Sequence, residues 1–204
     1  MNKFLTLMML FLFSTAITHA ESLAEDVNPA EPLAARTQSV LDRLAEGNLE
    51  QPAVLEALVN ELVLPMIDFE AMSKLTLSKN WKKAPVEKRA EFVDAYKGLL
   101  ARTYTKSLAD FSGQKINYFP ARTKIDGKYA KVYSEFVPAA GLSSLAVRYE
   151  MRRKDDDWLV YDVVIDGVSF IKSYRVAFAK EINETSLDAL IARLRRDDLA
   201  AAGK

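Results

Sequence analysis

From Pro85 onward the apolar positions recur in steps of three and four: Phe92, Tyr96, Leu99, Leu100, Thr103, Tyr104, Ser107, Leu108 and Phe111. That spacing makes one face of a long helix, and Gly113 ends it. Gly98 sits inside, where Gly costs about 1 kcal/mol against Ala; it marks a bend, a close approach or a tolerated residue. Upstream the pattern is also helical. Pro32 to Glu46 reads as a first helix stopped by Gly47, and Pro52 opens a second that runs to about Leu64 before Pro65 breaks it. Asp68 caps a short third helix carrying Phe69, Met72 and Leu75. Residues Glu21 to Glu31 read as a loose polar leader.

At Lys115 the period changes to two. Lys115–Ile125, Lys128–Val137, Ser143–Arg153 and Asp157–Asp166 read as four strands. Asp126-Gly127 is a hairpin signal, and Pro138–Gly141 and Lys154–Asp156 are turn-like. Short links of this kind imply an antiparallel meander. Pro120 predicts an edge or a bulge in the first strand. Helices over Ser169–Asn183 and Ser186–Arg196 close the chain, followed by a frayed tail from Asp197 to Lys204. The expected fold is therefore α+β in one domain, residues 21–204. It has a helical N-terminal half, a four-stranded antiparallel sheet and closing C-terminal helices.

The last strand holds more apolar surface than a half-buried strand needs. By simple alternation Leu159, Tyr161, Val163 and Ile165 share one face, yet Val160 and Val164 fall on the other. Phe170 and Ile171 follow at once. Tyrosines at 96, 104, 118, 129, 133, 149 and 161 all sit in periodic segments, and buried hydroxyls need partners. Plain core and an amphipathic cavity wall both accommodate them.

Composition narrows the chemistry. The first residues read MNKFLTLMMLFLFSTAITHAES: one Lys, a run from Phe4 to Phe13 that is apolar but for Thr6, then small residues ending in Thr18-His19-Ala20. This is the pattern of a secretory signal cut after Ala20, too short to span a bilayer, which takes about 20 residues. No Cys lies near the cut, which argues against a lipid-anchored lipoprotein. The only His in the chain is His19, and there is no Cys. The exported chain then has neither imidazole nor thiol. That excludes zinc sites built on them and Ser-His or Cys-His nucleophile pairs. Lys3 is the only charge lost with residues 1–20, so a neutral precursor leaves one net negative charge. Such a balance gives no overall pull toward nucleic acid.

No glycine-rich phosphate loop is present. Asp162 and Asp166, four apart on a strand, invite an acid/base pair; the competing reading has Asp162 solvated and Asp166 in a turn with Gly167. Asp155, Asp156 and Asp157 lack the spacing of a calcium loop. Ser169, with no His to activate it, reads as a helix cap. The expectation is no enzyme, no metal and no cofactor.

Two stretches carry a family likeness: LVLPMIDFEAMSKLTLSKNWKKAPVEKRAEFVDAYKGLLARTYTKSL, Leu62 to Leu108, and WLVYDVVIDGVSFIKSYRVAFAKEI, Trp158 to Ile182. Leu64-Pro65, Trp81, Arg89, Phe92, Leu100 and Tyr104 fit the helical half, and Trp158, Tyr161-Asp162 and Gly167-Val168-Ser169 the other. Together they resemble the MlaC family of periplasmic phospholipid-binding proteins, also called the toluene-tolerance family. The resemblance implies a monomeric phospholipid carrier of the Gram-negative periplasm, with acyl chains in an apolar cavity between sheet and helices. Its implied partners are an outer-membrane lipoprotein–porin complex and the MCE-domain subunit of an inner-membrane ABC transporter. Its implied role is to maintain outer-membrane lipid asymmetry. The expected cavity wall is Tyr96, Leu100, Tyr104 and Leu108 from the long helix, Val147, Tyr149, Val163 and Ile165 from the sheet, and Val168 and Phe170 at the turn. Arg102, Lys106, Arg122 and Lys124 are candidates for the headgroup end. The alternative is an interaction module of nuclear-transport-factor-like fold without lipid cargo.

Overall fold

A computed structural model describes residues 27–47, 51–108, 114–138 and 143–196. The expected signal, the leader before residue 27 and the C-terminal tail lie outside the described residues.

The helical half begins with α1 (Ala30–Ala45) and α2 (Pro52–Leu58, with Pro52 in its first turn). α2 continues into a π-helical turn, Val59–Val63, and a 3₁₀ turn, Leu64–Met66, where Pro65 ends regular structure. α3 (Phe69–Leu77) is capped by Asp68, whose carboxylate accepts from the Ala71 N–H at 3.0 Å. A short α4 (Lys79–Lys83), not anticipated from the pattern, precedes α5 (Val86–Leu108), the long helix. Gly98 in α5 marks a close approach: a Cβ there would sit 3.0 Å from the Arg102 guanidinium.

The expected first strand is broken at Pro120 into β1 (Lys115–Tyr118) and β2 (Lys124–Asp126) with a 3₁₀ turn between. β3 (Tyr129–Val137), β4 (Leu145–Lys154) and β5 (Asp157–Ile165) form the antiparallel meander, and a two-residue β6 (Val168–Ser169) closes back on β5. The sheet order is β1-β3-β4-β5-β6, with β2 also on β3. Asp166 and Gly167 both take positive φ, 47° and 86°, as a tight two-residue turn demands. α6 (Phe170–Glu184) and α7 (Leu187–Arg195) follow, capped by the Ser169 and Ser186 hydroxyls.

The alternation expected along β5 does not hold, and the reason is a register shift opposite Glu150 and Met151. Tyr149 pairs with Val163 and Glu150 with Asp162, but Met151 pairs with Val160, so Tyr161 is the extra residue of a bulge. The bulge places Val160 and Val163 on the same side as Met151 and Tyr149, where they pack with Ala30 and Leu33 of α1. Tyr161 turns to the opposite side, meets the Tyr129 ring at 6.3 Å, and packs against the helical core. Both faces of β5 are therefore covered, each by different helices.

Asp162 is buried, not solvated. Its carboxylate accepts the Ser169 hydroxyl at 2.5 Å and the Ile171 N–H at 3.0 Å, which fixes the start of α6 against β5. Asp166 stays in the turn, accepting from the Ala146 N–H at 3.0 Å. On the other side of the bulge the Asp68 N–H donates to the Val160 carbonyl at 2.8 Å, and the Asp68 carboxylate pairs with Arg152 of β4. Two carboxylates thus join the helical half to the sheet.

The apolar interior consists of three clusters. The largest joins α3, α5, α6 and α7 around Phe92, Tyr96 and Phe178. The second lies between α1 and the sheet, and the third between α1 and α2. Val63 borders the first and third, and Met66 the second and third. Both lie in the irregular π and 3₁₀ stretch.

Asp162→Ala strands a buried hydroxyl and a buried N–H, and is expected to cost about 2–4 kcal/mol of stability; Asp162→Asn keeps one acceptor and should cost about half. Urea unfolding followed by circular dichroism measures both, and a loss below about 1 kcal/mol for the alanine variant would show that α6 is held by packing alone. Burial raises the phenol pKa of Tyr96 and of Tyr118 above the ordinary 10.0. Their unfolded-state protons leave near pH 10 while the folded state keeps them, so their contribution is full below that pH and is lost as pH rises. Each should remove about 1.4 kcal/mol per pH unit above 10, and Tyr118→Phe should reduce the slope of an alkaline unfolding series by its share.

Candidate functional site

The ten expected wall residues fall into separate groups. Tyr96 and Leu100 of α5 stand in the helical core, both buried. Tyr96 is ringed by Phe92, Tyr174 and Phe178, with centroids 5.4–5.5 Å away. About two turns beyond Tyr96, Tyr104 is 40% exposed and stacks on Phe170 at 5.7 Å. That stack links α5 to the turn at the end of β5. On the sheet, Val147 faces Ile165 and Tyr149 faces Val163 across β4 and β5, one contiguous apolar strip. Val147 is buried, while Tyr149, Val163 and Ile165 are half-buried. Val168 pairs with Ile165 and points largely into solvent. The Leu108 side chain lies outside the described residues.

The strip continues in both directions. Tyr118 of β1 stacks on Tyr149 at 5.9 Å, and its hydroxyl shares a 2.9 Å hydrogen bond with Thr37 of α1. Ser134 of β3, paired with Val147, is buried with no hydrogen-bond partner among the described residues. In the helical core the Ser73 hydroxyl is also buried with no hydrogen-bond partner among the described residues, while the Tyr96 and Thr76 hydroxyls lie beside each other. An apolar lining dotted with unused hydroxyls suits a ligand with long hydrocarbon parts and a few oxygen acceptors.

The cationic candidates separate likewise. Arg122 lies over the Tyr133 and Phe119 rings, 5.1 and 5.4 Å from their centroids, in an open cleft of about 410 Å³ that Arg148 and Ser134 also line. Lys124 borders a different cleft, beside Tyr129 and Tyr161. Arg102 is engaged elsewhere: its guanidinium donates to the Leu194 carbonyl of α7 at 2.5 Å. The Lys106 side chain lies outside the described residues.

No arrangement for nucleophilic catalysis forms at Ser169. Its hydroxyl is spent on Asp162 and accepts from the Lys172 N–H, a capping role. Pattern reading missed the burial of Asp162 and the Asp68–Arg152 pair. Their one sequence signal was a carboxylate set among apolar strand and helix positions.

The family model described as "MlaC protein" matches residues 34–196. The chain is 24% identical over 149 residues to the intermembrane phospholipid transport system binding protein MlaC of Haemophilus influenzae, covering 72% of this chain and 70% of that one. It is 26% identical over 131 residues to the toluene tolerance protein ttg2D of Pseudomonas putida, covering 64% and 60%. Among solved structures, a phospholipid-binding protein from Ralstonia solanacearum in complex with a phospholipid shares the fold. The TM-score is 0.75 at 24% identity, over 87% of this chain and 99% of that one. With the family model spanning nearly all of the described structure, the chain belongs to the MlaC protein family.

Proposed function

We propose that this protein is a phospholipid carrier that takes lipid between the outer and inner membranes of a Gram-negative cell and helps keep the outer membrane asymmetric. In this reading residues 1–20 are removed on export to the periplasm, and the carrier works as a monomer. It exchanges lipid with an outer-membrane lipoprotein–porin complex and with the MCE-domain subunit of an inner-membrane ABC transporter. The names of its relatives, one a phospholipid transport binding protein and one solved with a phospholipid, support lipid as the cargo.

The observation that carries the reading is the divided interior. Three apolar clusters meet through Val63 and Met66, in a stretch of π and 3₁₀ backbone. Such irregular turns often mark hinges and functional sites. Parting the helices there would open a slot on each face of β5: one over the half-buried sheet strip Tyr149, Val163 and Ile165 on the α1 side, and one beside Tyr96 and Leu100 in the helical core, with the Tyr104–Phe170 stack further along α5. The expected wall residues are shared between the two.

The energetics require such a slot to be closed in transit. Two acyl chains hold about 30 methylenes, each worth about 0.8 kcal/mol in water, so open exposure costs roughly 24 kcal/mol. Transfer is then an exchange between two apolar sites with docking before release. This chain has no phosphate loop, so energy input comes from a partner.

Protein purified without detergent should yield about one phospholipid per chain on solvent extraction and mass spectrometry. Val147→Trp and Leu100→Trp, which fill the sheet strip and the α5 side, should each lower that load about tenfold at a stability cost of about 1–3 kcal/mol. Protein that carries no lipid and takes none from vesicles would instead support the interaction-module alternative.

A further inference from the structure

α4 reads Lys-Asn-Trp-Lys-Lys and contains no acidic residue. Lys79, Lys82 and Lys83 are exposed. With Lys74 and Arg175 they border an open cleft of about 650 Å³ that Leu75 and Trp81 also line. None of the four lysines forms an ion pair among the described residues, although the chain as a whole is neutral. Glu70 and Asp94 line the adjoining cleft on the α5 side, not this one.

Apolar side chains stand out beside these lysines: Leu75 in this cleft is 40% exposed, and Val86, which lines the adjoining cleft with Trp81, is 69% exposed. The face is also built firmly. Ser78, between α3 and α4, holds φ 51° and ψ −114°, a conformation that costs a non-glycine residue strain. The Arg89 guanidinium lies 5.6 Å from the Trp81 ring and donates to the Trp81 carbonyl at 2.9 Å. Arg175 of α6 donates to the Leu75 carbonyl at 2.9 Å, tying α6 to the end of α3. A strained turn with two guanidinium ties holds a lysine-rich helix beside protruding aliphatic groups.

We propose that this surface docks the protein peripherally on an anionic phospholipid bilayer. Compact, hydrated lysines on flexible stems suit a diffuse layer of anionic headgroups better than they suit bidentate carboxylate recognition, for which Arg is the fitter residue. Lysine stems, a tryptophan and exposed aliphatics match the mixed polarity of the headgroup boundary. No described helix is long and apolar enough to cross a membrane. None of the nine candidate wall residues with described side chains borders this cleft, so the docking does not depend on the cavity holding lipid.

Co-sedimentation of the purified protein with vesicles tests it. Vesicles containing about one-third phosphatidylglycerol should bind the protein, pure phosphatidylcholine vesicles should bind it weakly, and raising salt from about 0.05 M to about 0.3 M should release it. A lysine beside an anionic surface contributes about fivefold, so Lys79→Gln, Lys82→Gln and Lys83→Gln together should lower partitioning about a hundredfold. Arginine at the same three positions should preserve binding. The control Lys115→Gln, Lys131→Gln and Lys154→Gln removes the same charge from exposed strand positions and should change partitioning by less than about threefold. Circular dichroism checks that both triple variants fold. Equal losses in the two triples, no binding to anionic vesicles, or capture by soluble polyglutamate without vesicle binding would each overturn the proposal, the last by making an acidic polypeptide the partner. Because the readout is sedimentation and not lipid load, failure here is separable from failure of the carrier reading.

Discussion

A single extra residue in β5 organises the molecule. The bulge at Tyr161 lets Val160 and Val163 face the same way and sends Tyr161 and Asp162 the other way. A strand so arranged is apolar on both sides and has to be covered twice. α1 supplies one cover through Ala30 and Leu33. The bundle of α3, α5, α6 and α7 supplies the other. Burial of this surface is the main favourable term, but it is non-directional. Direction comes from two buried carboxylates on either side of the bulge. Asp162 gathers Ser169 and Ile171 at the start of α6, and Asp68 joins α3 to Arg152 while its N–H meets Val160. Hydrogen bonds to charged groups in the interior are strong and are expensive to leave unmade, so each sets one docking geometry for its helix.

Double coverage leaves the interior divided. A continuous core resists opening because parting it exposes apolar area everywhere at once. Three clusters joined through Val63 and Met66 part along fewer contacts. The π turn that ends at Val63 is already irregular, with backbone bonding that departs from the α pattern. The half-buried strip on β4 and β5, on the α1 side, and the Tyr104–Phe170 stack are the proposed walls for acyl chains. The lysine-rich face at α4 is separate from them. A carrier needs both kinds of surface: one dry and closed in transit, the other wet and available for docking.

Much of the fold was legible along the chain because its periods are clean. The steps of three and four from Phe92 to Leu108, the alternation from Leu145 to Met151, and the caps at Asp68 and Ser169 all follow from local geometry. So does the tight turn at Asp166-Gly167, where positive φ at both positions favours those residue types. The short α4 escaped because five residues carry too little periodicity to read. The grouping of the wall candidates escaped too, since periodicity says that a position is apolar and not which of three clusters it enters.

The sequence by itself determined the element order, the antiparallel sheet and the turn and cap chemistry, because these depend on neighbours a few residues apart. It also determined, through two long stretches of likeness, the family. Only the tertiary structure decided which face of β5 each side chain occupies, since a bulge is a mismatch between two strands and leaves no mark in either alone. The burial of Asp162 was decided there as well. Whether a carboxylate on a strand meets water or a helix N-terminus depends on where that helix docks, and the docking rests on contacts the local pattern does not contain.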